Sequence, residues 1–191
     1  EVKSFLVNFG FSAGPNPAQR IFDPELGGGA LLDIGIYNIF MALSVLGRPD
    51  GIEAIMTPAP TGVDEQCAIT FTYKNGAIAQ LFCTFASNLA TEADICGTQG
   101  RIRLATRFYE PTTTVEYYPG RIDSRLVMPF HREDGWGYQF EIRHVQDLPF
   151  GTAASHGTFP GSREVNPPRF ACNEPAVDGM QYINVQEQDR K

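Results

Sequence analysis

The chain has 191 residues, 42% apolar and 19% charged, with a net charge of −7. That is enough chain to bury a core and too apolar a composition for disorder throughout. The acidic balance argues against a nucleic-acid surface, which needs a basic patch, and no uninterrupted apolar run reaches the ~20 residues that cross a bilayer. The first residues, EVKSFLVNFG, lack the basic start, apolar middle and cleavage site of a signal peptide, and residues 1–12 alternate loosely as a strand. A chain that starts inside such an element reads as a fragment or as one domain of something longer. Residues 13–26 are rich in Pro, Asn and Gly and read as a loop. Residues 30–46, ALLDIGIYNIFMALSVL, predict a helix that Gly47 caps and Pro49 stops.

From residue 51 to about 130 strand follows strand. QCAITFTY and AIAQLFCTF flank Asn75-Gly76, a hairpin signal; TEADICGT and RIRLATRFY flank Gln99-Gly100; TTVEYY and DSRLVMPF flank Pro119-Gly120. Sequential hairpins favour an antiparallel meander over a parallel βαβ sheet. A second helix is predicted at about 136–148, WGYQFEIRHVQDL. The tail, 148–191, loses all period and holds five of the 14 prolines; it reads as irregular, with a short strand at MQYINV. The resulting class is α+β: an open, mostly antiparallel β-sheet with a buried helix packed on one face, formed by residues 1–147.

Four cysteines, Cys67, Cys83, Cys96 and Cys172, form no CxxC pair. The first three lie in strand-like segments and read as reduced core residues, which suits a cytoplasmic protein. His131, His144 and His156 offer no clustered spacing, so no metal site is predicted. Glu141 and His144 make a single ExxH on one helix face, where carboxylate-bridged metal sites use two; both read as structural.

The informative stretch is GGGALLDIGIY, Gly27 to Tyr37. A phosphate loop spaces its glycines as GxGxxG or GxxxxGK[ST], and neither pattern occurs in the chain. The helix that follows is apolar almost all round, which predicts burial. Asp33, Tyr37 and Ser44 interrupt it on one side: at ~100° per residue, Tyr37 falls ~40° and Ser44 ~20° round from Asp33. Either this carboxylate and phenol bond to each other and to backbone, or they line a cavity. The glycines favour the second reading, because they allow close approach.

FDPELGGGALLDIGIYNI resembles the start of the C-terminal domain of the Gfo/Idh/MocA oxidoreductase superfamily. EADICGTQGRIRL, RFYEPTTTVEYYPGR and GWGYQFEIRHV are similar to later stretches of the same domain, in the same order, over about residues 1–147. The DIGIY form is that of the branch resembling glucose–fructose oxidoreductase and dihydrodiol dehydrogenase. The resemblance implies an NAD(P)-dependent dehydrogenase acting on a sugar, polyol or dihydrodiol. Tyr37 would be its acid/base group, and Asp33 would position substrate or nicotinamide. NADP or NAD would be bound mainly by an N-terminal Rossmann domain absent from this chain, and the sheet would form a homodimer. A tyrosine, with an ordinary pKa of about 10, needs a nearby cation to act as a base near neutral pH. In the family a lysine of the Rossmann domain, in a Glu-Lys-Pro motif, plays that part, and this chain has no such motif. The chain alone is therefore expected neither to bind dinucleotide tightly nor to turn over. The tail after 147 departs from the family pattern.

Arg20, Trp136 and Tyr138 are further substrate-binding candidates, since aromatic and guanidinium groups suit sugar rings and hydroxyls. Each has a plainer reading: Trp136 and Tyr138 pack at a helix start, and Arg20 pairs with Asp23. The alternative function is a non-catalytic antiparallel-sheet module for dimerisation or ligand binding, derived from the same family, in which Asp33 and Tyr37 have no catalytic task.

Overall fold

The computed structural model describes residues 1–14, 16, 18–110, 113–120, 124–128, 137–147 and 181–184. The predicted strands fall where the alternation puts them. They are β1 (Val2–Gly10), β2 (Gly51–Pro58), β3 (Asp64–Thr72), β4 (Ile78–Thr84), β5 (Ala93–Gly97), β6 (Gly100–Ala105), β7 (Thr114–Pro119), β8 (Leu126–Val127) and β9 (Gln181–Asn184). Together they make one sheet in the order β8-β7-β6-β5-β1-β4-β3-β2-β9. The β3–β4 hairpin turns at Gly76, with φ of 79°, while the Asn75 side chain accepts from the Ala77 N–H at 3.0 Å. β9, the short strand expected in the tail, pairs antiparallel with β2.

One pairing departs from the meander. β1 lies between β4 and β5, antiparallel to β5 but parallel to β4, with Phe5 opposite Ala79 and Phe9 opposite Cys83. Hairpin signals report only chain neighbours. The parallel pair is set by matched apolar faces far apart in sequence, which no local pattern encodes.

Phe5, Val7, Phe9, Ile69, Phe71, Ala79, Leu81 and Cys83 form the covered face of the sheet and are buried. The predicted helix packs on it with two corrections. Its first turn, Leu31–Gly35, is a π-turn that runs into α1 (Ile36–Leu46). Nor is it buried all round: Ile34, Gly35, Asn38 and Ala42 are buried, whereas Leu32, Ile36 and Phe40 lie 63%, 55% and 53% exposed. A helix on a sheet can bury one side only, so apolar residues all round leave an outer apolar ridge. A Cβ on Gly35 would stand 2.9 Å from Cys83 Sγ, so glycine lets the π-turn lie close to β4. Asn38, a buried polar residue with no warning in the sequence, donates from Nδ2 to the Phe82 carbonyl at 3.0 Å. The helix ends at Gly47 as predicted, with φ of 76°. By length and composition the helical turns from Pro24 to Leu46 are long and apolar enough to cross a membrane, as core helices of a fold also can be. In the fold they divide into 3-10, π and α segments, and the π and α segments rest on the sheet.

Cys67 and Cys83 are opposite each other in the β3–β4 ladder, and both are free and buried. Its hydrogen bond with Cys67, together with burial, pushes the Cys83 thiol well above the usual range, so it stays protonated and inert. Cys96 is also free. Cys172, His131 and His156 lie outside the described residues; Glu141 and His144 fall within α2 (Tyr138–Asp147). Among the described residues no group of three or more His, Cys, Asp or Glu could hold a metal.

The other face of the sheet is open. Leu6, Ile55 and Ile78 are exposed there, around a depression of about 360 Å³ lined by Leu6, Asn8, Ala68, Thr70, Gln80 and Phe82. Toward β8 the same face carries charge. Arg103 pairs with Glu92, Arg101 Nε stands 3.4 Å from Asp94, and Arg125 reaches Glu116 at 2.5 Å.

Candidate functional site

The site is built by a chain reversal before the helix. Two 3-10 turns, Arg20–Phe22 and Pro24–Leu26, fill part of the predicted loop. Asp23 starts the second one, accepting from the Glu25 N–H at 2.9 Å. Gly27, at φ 66°, closes it in the left-handed region. Gly28 then donates to the Asp23 carbonyl and Gly29 to the Ile21 carbonyl, both at 2.8 Å. A Cβ on Gly28 would stand 2.7 Å from the Ile21 carbonyl oxygen. The glycine run therefore folds the chain back onto itself. The N–H groups of Gly28 and Gly29, which a phosphate would need, are already engaged.

The reversal brings Arg20 onto Asp33, 13 residues later, where its Nη2 donates to Oδ1. The plainer reading of Arg20 is thus corrected: its partner is Asp33 and not Asp23, because Asp23 is engaged as a cap. The Asp33 side chain is 19% exposed and that of Arg20 56%, so the ion pair has one foot in solvent.

Asp64, at the start of β3, fixes the helix entry. Its Oδ2 accepts from the Leu31 N–H at 2.6 Å, satisfying a donor that the first helical turn leaves over. Burial pushes its carboxyl up, opposed by hydrogen bonds from the backbone of Leu31, Ala30 and Asp64 itself. Sequence reading missed this residue because a cap supplied from a distant strand has no local spacing.

Tyr37 stands on the first turn of α1, one turn past Asp33. It is 45% exposed, not buried as the pattern implied. Its ring meets Phe9 edge-on, centroids 5.8 Å apart, and Tyr109 at 5.3 Å. Ser44, the third residue of the polar stripe, turns back to the Phe40 carbonyl at 2.8 Å, so the stripe ends at Tyr37. Tyr138 is 66% exposed at the start of α2. Trp136 lies outside the described residues. Of the five candidates, the fold brings together Arg20, Asp33 and Tyr37. It adds Tyr109 and Phe9, whose aromatic type in the strand and in RFYEP was the only sequence signal.

This arrangement pairs a carboxylate under a guanidinium with an outward-facing phenol, and can bind and orient hydroxyls and exchange a proton. The family model described as the GFO/IDH/MocA C-terminal domain matches residues 1–103. The trans-1,2-dihydrobenzene-1,2-diol dehydrogenase of Danio rerio is 36% identical over 142 residues, covering 71% of this chain and 42% of that protein. Its Xenopus tropicalis counterpart is 32% identical over 150 residues, covering 76% and 45%. Among solved structures, the aldose-aldose oxidoreductase of Caulobacter crescentus, in complex with glycerol, shares the fold. Its TM-score is 0.65 at 18% identity, over 75% of this chain and 44% of that one. KijD10, a 3-ketoreductase from Actinomadura kijaniata in complex with NADP and TDP-benzene, aligns with a TM-score of 0.55 at 26% identity, over 69% and 42%. The chain spans less than half the length of these curated relatives. The match runs from β1 through the glycine run and the Asp33–Tyr37 turn to β6, and by it the chain belongs to the GFO/IDH/MocA oxidoreductase family, as its C-terminal domain.

Proposed function

We propose that this chain is the substrate-side domain of an NAD(P)-dependent oxidoreductase acting on a sugar, polyol or dihydrodiol. The observation that carries the reading is the turn on which Asp33, held by Arg20, stands one helical turn from an outward-facing Tyr37. In oxidation of a carbinol, Tyr37 takes the hydroxyl proton, and Asp33 with Arg20 orients the neighbouring hydroxyl or the nicotinamide. A bound nicotinamide would supply the acceptor for the hydride that leaves the same carbon. The glycine run does not suit a pyrophosphate, since its Gly28 and Gly29 N–H groups donate within the chain. Dinucleotide binding, as NADP or NAD, is therefore assigned to residues beyond this chain, in keeping with matches that cover 42% and 45% of the length of the two relatives.

The domain boundary at 147, a cytoplasmic location and a homodimer through the open face belong to the same proposal. The exposed Leu6, Ile55 and Ile78 beside charges of both signs support a self-complementary two-fold contact; Leu6→Lys should then give monomers by light scattering. The rival reading, a non-catalytic module, is favoured by one observation: Arg20 already satisfies Asp33.

NADH and NADPH binding by fluorescence separates the two readings. It compares this chain with the same chain joined to its native upstream sequence, and with Tyr37→Phe in the longer form. Binding and oxidation of sugars or diols are expected in the longer form only. Tyr37→Phe should keep binding and lose about 10²- to 10⁴-fold in kcat. A Phe variant with normal turnover removes Tyr37 from the chemistry.

A further inference from the structure

β6 ends at Ala105, and the next two residues, Thr106 and Arg107, have φ of 58° and 52°. Neither is a glycine or an asparagine, and left-handed backbone at two such residues in succession persists only where the surroundings impose it. The surroundings are specific. Phe108 donates its N–H to the Thr91 carbonyl at 3.1 Å, and Thr91 is itself at φ 55°. Arg107 pairs with Glu110 at 2.9 Å, while the Glu110 N–H returns to the Arg107 carbonyl at 2.8 Å. Thr113 Oγ1 donates to the Ala105 carbonyl at 3.0 Å.

This strained turn sets two aromatic residues against the end of β1. Phe108 is 8% exposed and meets Phe9 edge-on at 6.4 Å. Tyr109 stacks on Phe9 with centroids 4.6 Å apart and planes at 14°, and lies 5.3 Å from Tyr37. Among the described residues, the ring contacts of Tyr37 are those with Phe9 and Tyr109. Phe9 belongs to the central strand, so Tyr109 is the adjustable half of the grip.

We propose that Tyr109 is a positioning residue for Tyr37: its ring, braced on Phe9, holds the Tyr37 side chain in the one orientation that aims its phenolic oxygen at the substrate. The proposal rests on the reading of Tyr37 as the acid/base group. The phenolic oxygen sits at the far end of two rotatable bonds, so a modest swing of the ring moves it by about an ångström. A displacement of that size at a reacting group costs on the order of 100-fold in rate. The Tyr109 hydroxyl does not compete for the proton, because burial and the neighbouring Glu110 push its pKa up.

The test is made in the longer polypeptide with its native upstream sequence, by steady-state kinetics and dinucleotide fluorescence on Tyr109→Phe and Tyr109→Leu. Tyr109→Phe, which keeps the ring, is expected to hold kcat within about 2-fold. Tyr109→Leu is expected to lose about 10- to 100-fold in kcat, with KM and dinucleotide affinity changed less than about 3-fold. If Tyr109→Leu gives no cooperative melt, Tyr109→His, with its smaller ring, is read by the same split. An unchanged kcat in the Leu variant overturns the proposal. So does a rise in KM at constant kcat, which marks a substrate contact, or an equal loss in the Phe variant, which marks a role for the hydroxyl. Turnover by Tyr37→Phe at the normal rate would instead bring down the acid/base reading and this proposal with it. An inactive Tyr37→Phe beside an active Tyr109→Leu brings down the positioning role alone.

Discussion

Asp33 and Glu116 are both carboxylates held by an arginine, each with a tyrosine close by, and the two regions of the molecule use these groups differently. Glu116 is 7% exposed and accepts from Arg125 Nε at 2.8 Å and from the Tyr118 hydroxyl at 2.7 Å. The Tyr118 ring in turn lies under the Arg101 guanidinium at 4.3 Å. The Glu116 carboxylate, the Arg125 guanidinium and the Tyr118 hydroxyl are engaged with one another there. Around Asp33, among the described residues, the Arg20 guanidinium reaches the carboxylate, and Tyr37 is 45% exposed with its ring against Phe9 and Tyr109. A closed polar network stabilises a fold, whereas an open one leaves donors and acceptors for a ligand. The same residue types thus mark scaffold in one region and a candidate site in the other.

The largest effect on stability is expected in the Asp33 region, which is built on backbone geometry. Gly29 has φ of 118°, and a Cβ there would collide with the Asp64 carboxylate that caps the helix. Gly29→Ala should cost about 3 kcal/mol by backbone strain and overpacking, read as a lower midpoint in urea unfolding. The ion pairs of β5–β8 should be undisturbed. A midpoint equal to that of the unmodified chain would mean that the reversal is soft and does not fix Arg20 on Asp33.

Asp64→Ala comes next. It keeps the glycine geometry and removes the acceptor at 2.6 Å from the Leu31 N–H. The expected loss is about 1–2 kcal/mol, the usual cost of a missing helix cap. Protection of the Leu31 amide from hydrogen exchange should fall with it. Loss of stability without loss of that protection would put the role of Asp64 elsewhere.

What could be read in advance, and what could not, follows the range of the interactions. Strand alternation, the Asn75-Gly76 hairpin and the Gly47 stop are local, and each lies where its residues put it. The parallel β1–β4 pair, the Asp64 cap and the approach of Tyr109 join distant segments, so no spacing announces them. The Asp33–Tyr37 stripe was legible because both residues share a helix, but its exposure was not. Leu32, Ile36 and Phe40 are apolar and still lie outside, since hydrophobicity says which residues favour cover and not which side of a helix meets the sheet. Arg20 was legible as a candidate and was given the wrong partner. Its near neighbour Asp23 looked available until the 3-10 turn engaged it.

Acid should separate the two regions. Hydrogen bonding from Tyr118, with Arg125 behind it, holds the Glu116 carboxyl below its ordinary value. A depressed folded pKa contributes stability that is present above the unfolded pKa of about 4.3 and is lost as pH falls through the folded value. Burial raises the nearby Asp94 carboxyl, which acts in the opposite sense, so the contribution of Glu116 is read as a difference between variants. Glu116→Gln should flatten the fall in stability below about pH 4.5. Tyr118→Phe should flatten part of it while keeping the ring under Arg101. An acid limb as steep in Glu116→Gln as in the unmodified chain would show that Glu116 is not the group being titrated.

The smallest expected change in stability is at the candidate site itself. Arg20→Ala breaks a pair whose arginine side chain is 56% exposed, and such pairs contribute less than about 1 kcal/mol. Arg125→Ala should cost more, about 1–3 kcal/mol, because it strips a partner from a carboxylate in a residue only 7% exposed. If Asp33 is part of a working site, activity in the longer polypeptide should run the other way. Arg20→Ala should lose about 10-fold or more in kcat/KM, the scale of one charge-assisted hydrogen bond, and Arg125→Ala less than about 2-fold. That inversion, the least stabilising arginine mattering most for turnover, is the signature of a residue kept for its site and not for its fold. Parallel losses in stability and activity at Arg20 would instead make the Arg20–Asp33 pair a structural clasp, and the weight of the proposed function would then rest on Tyr37 alone.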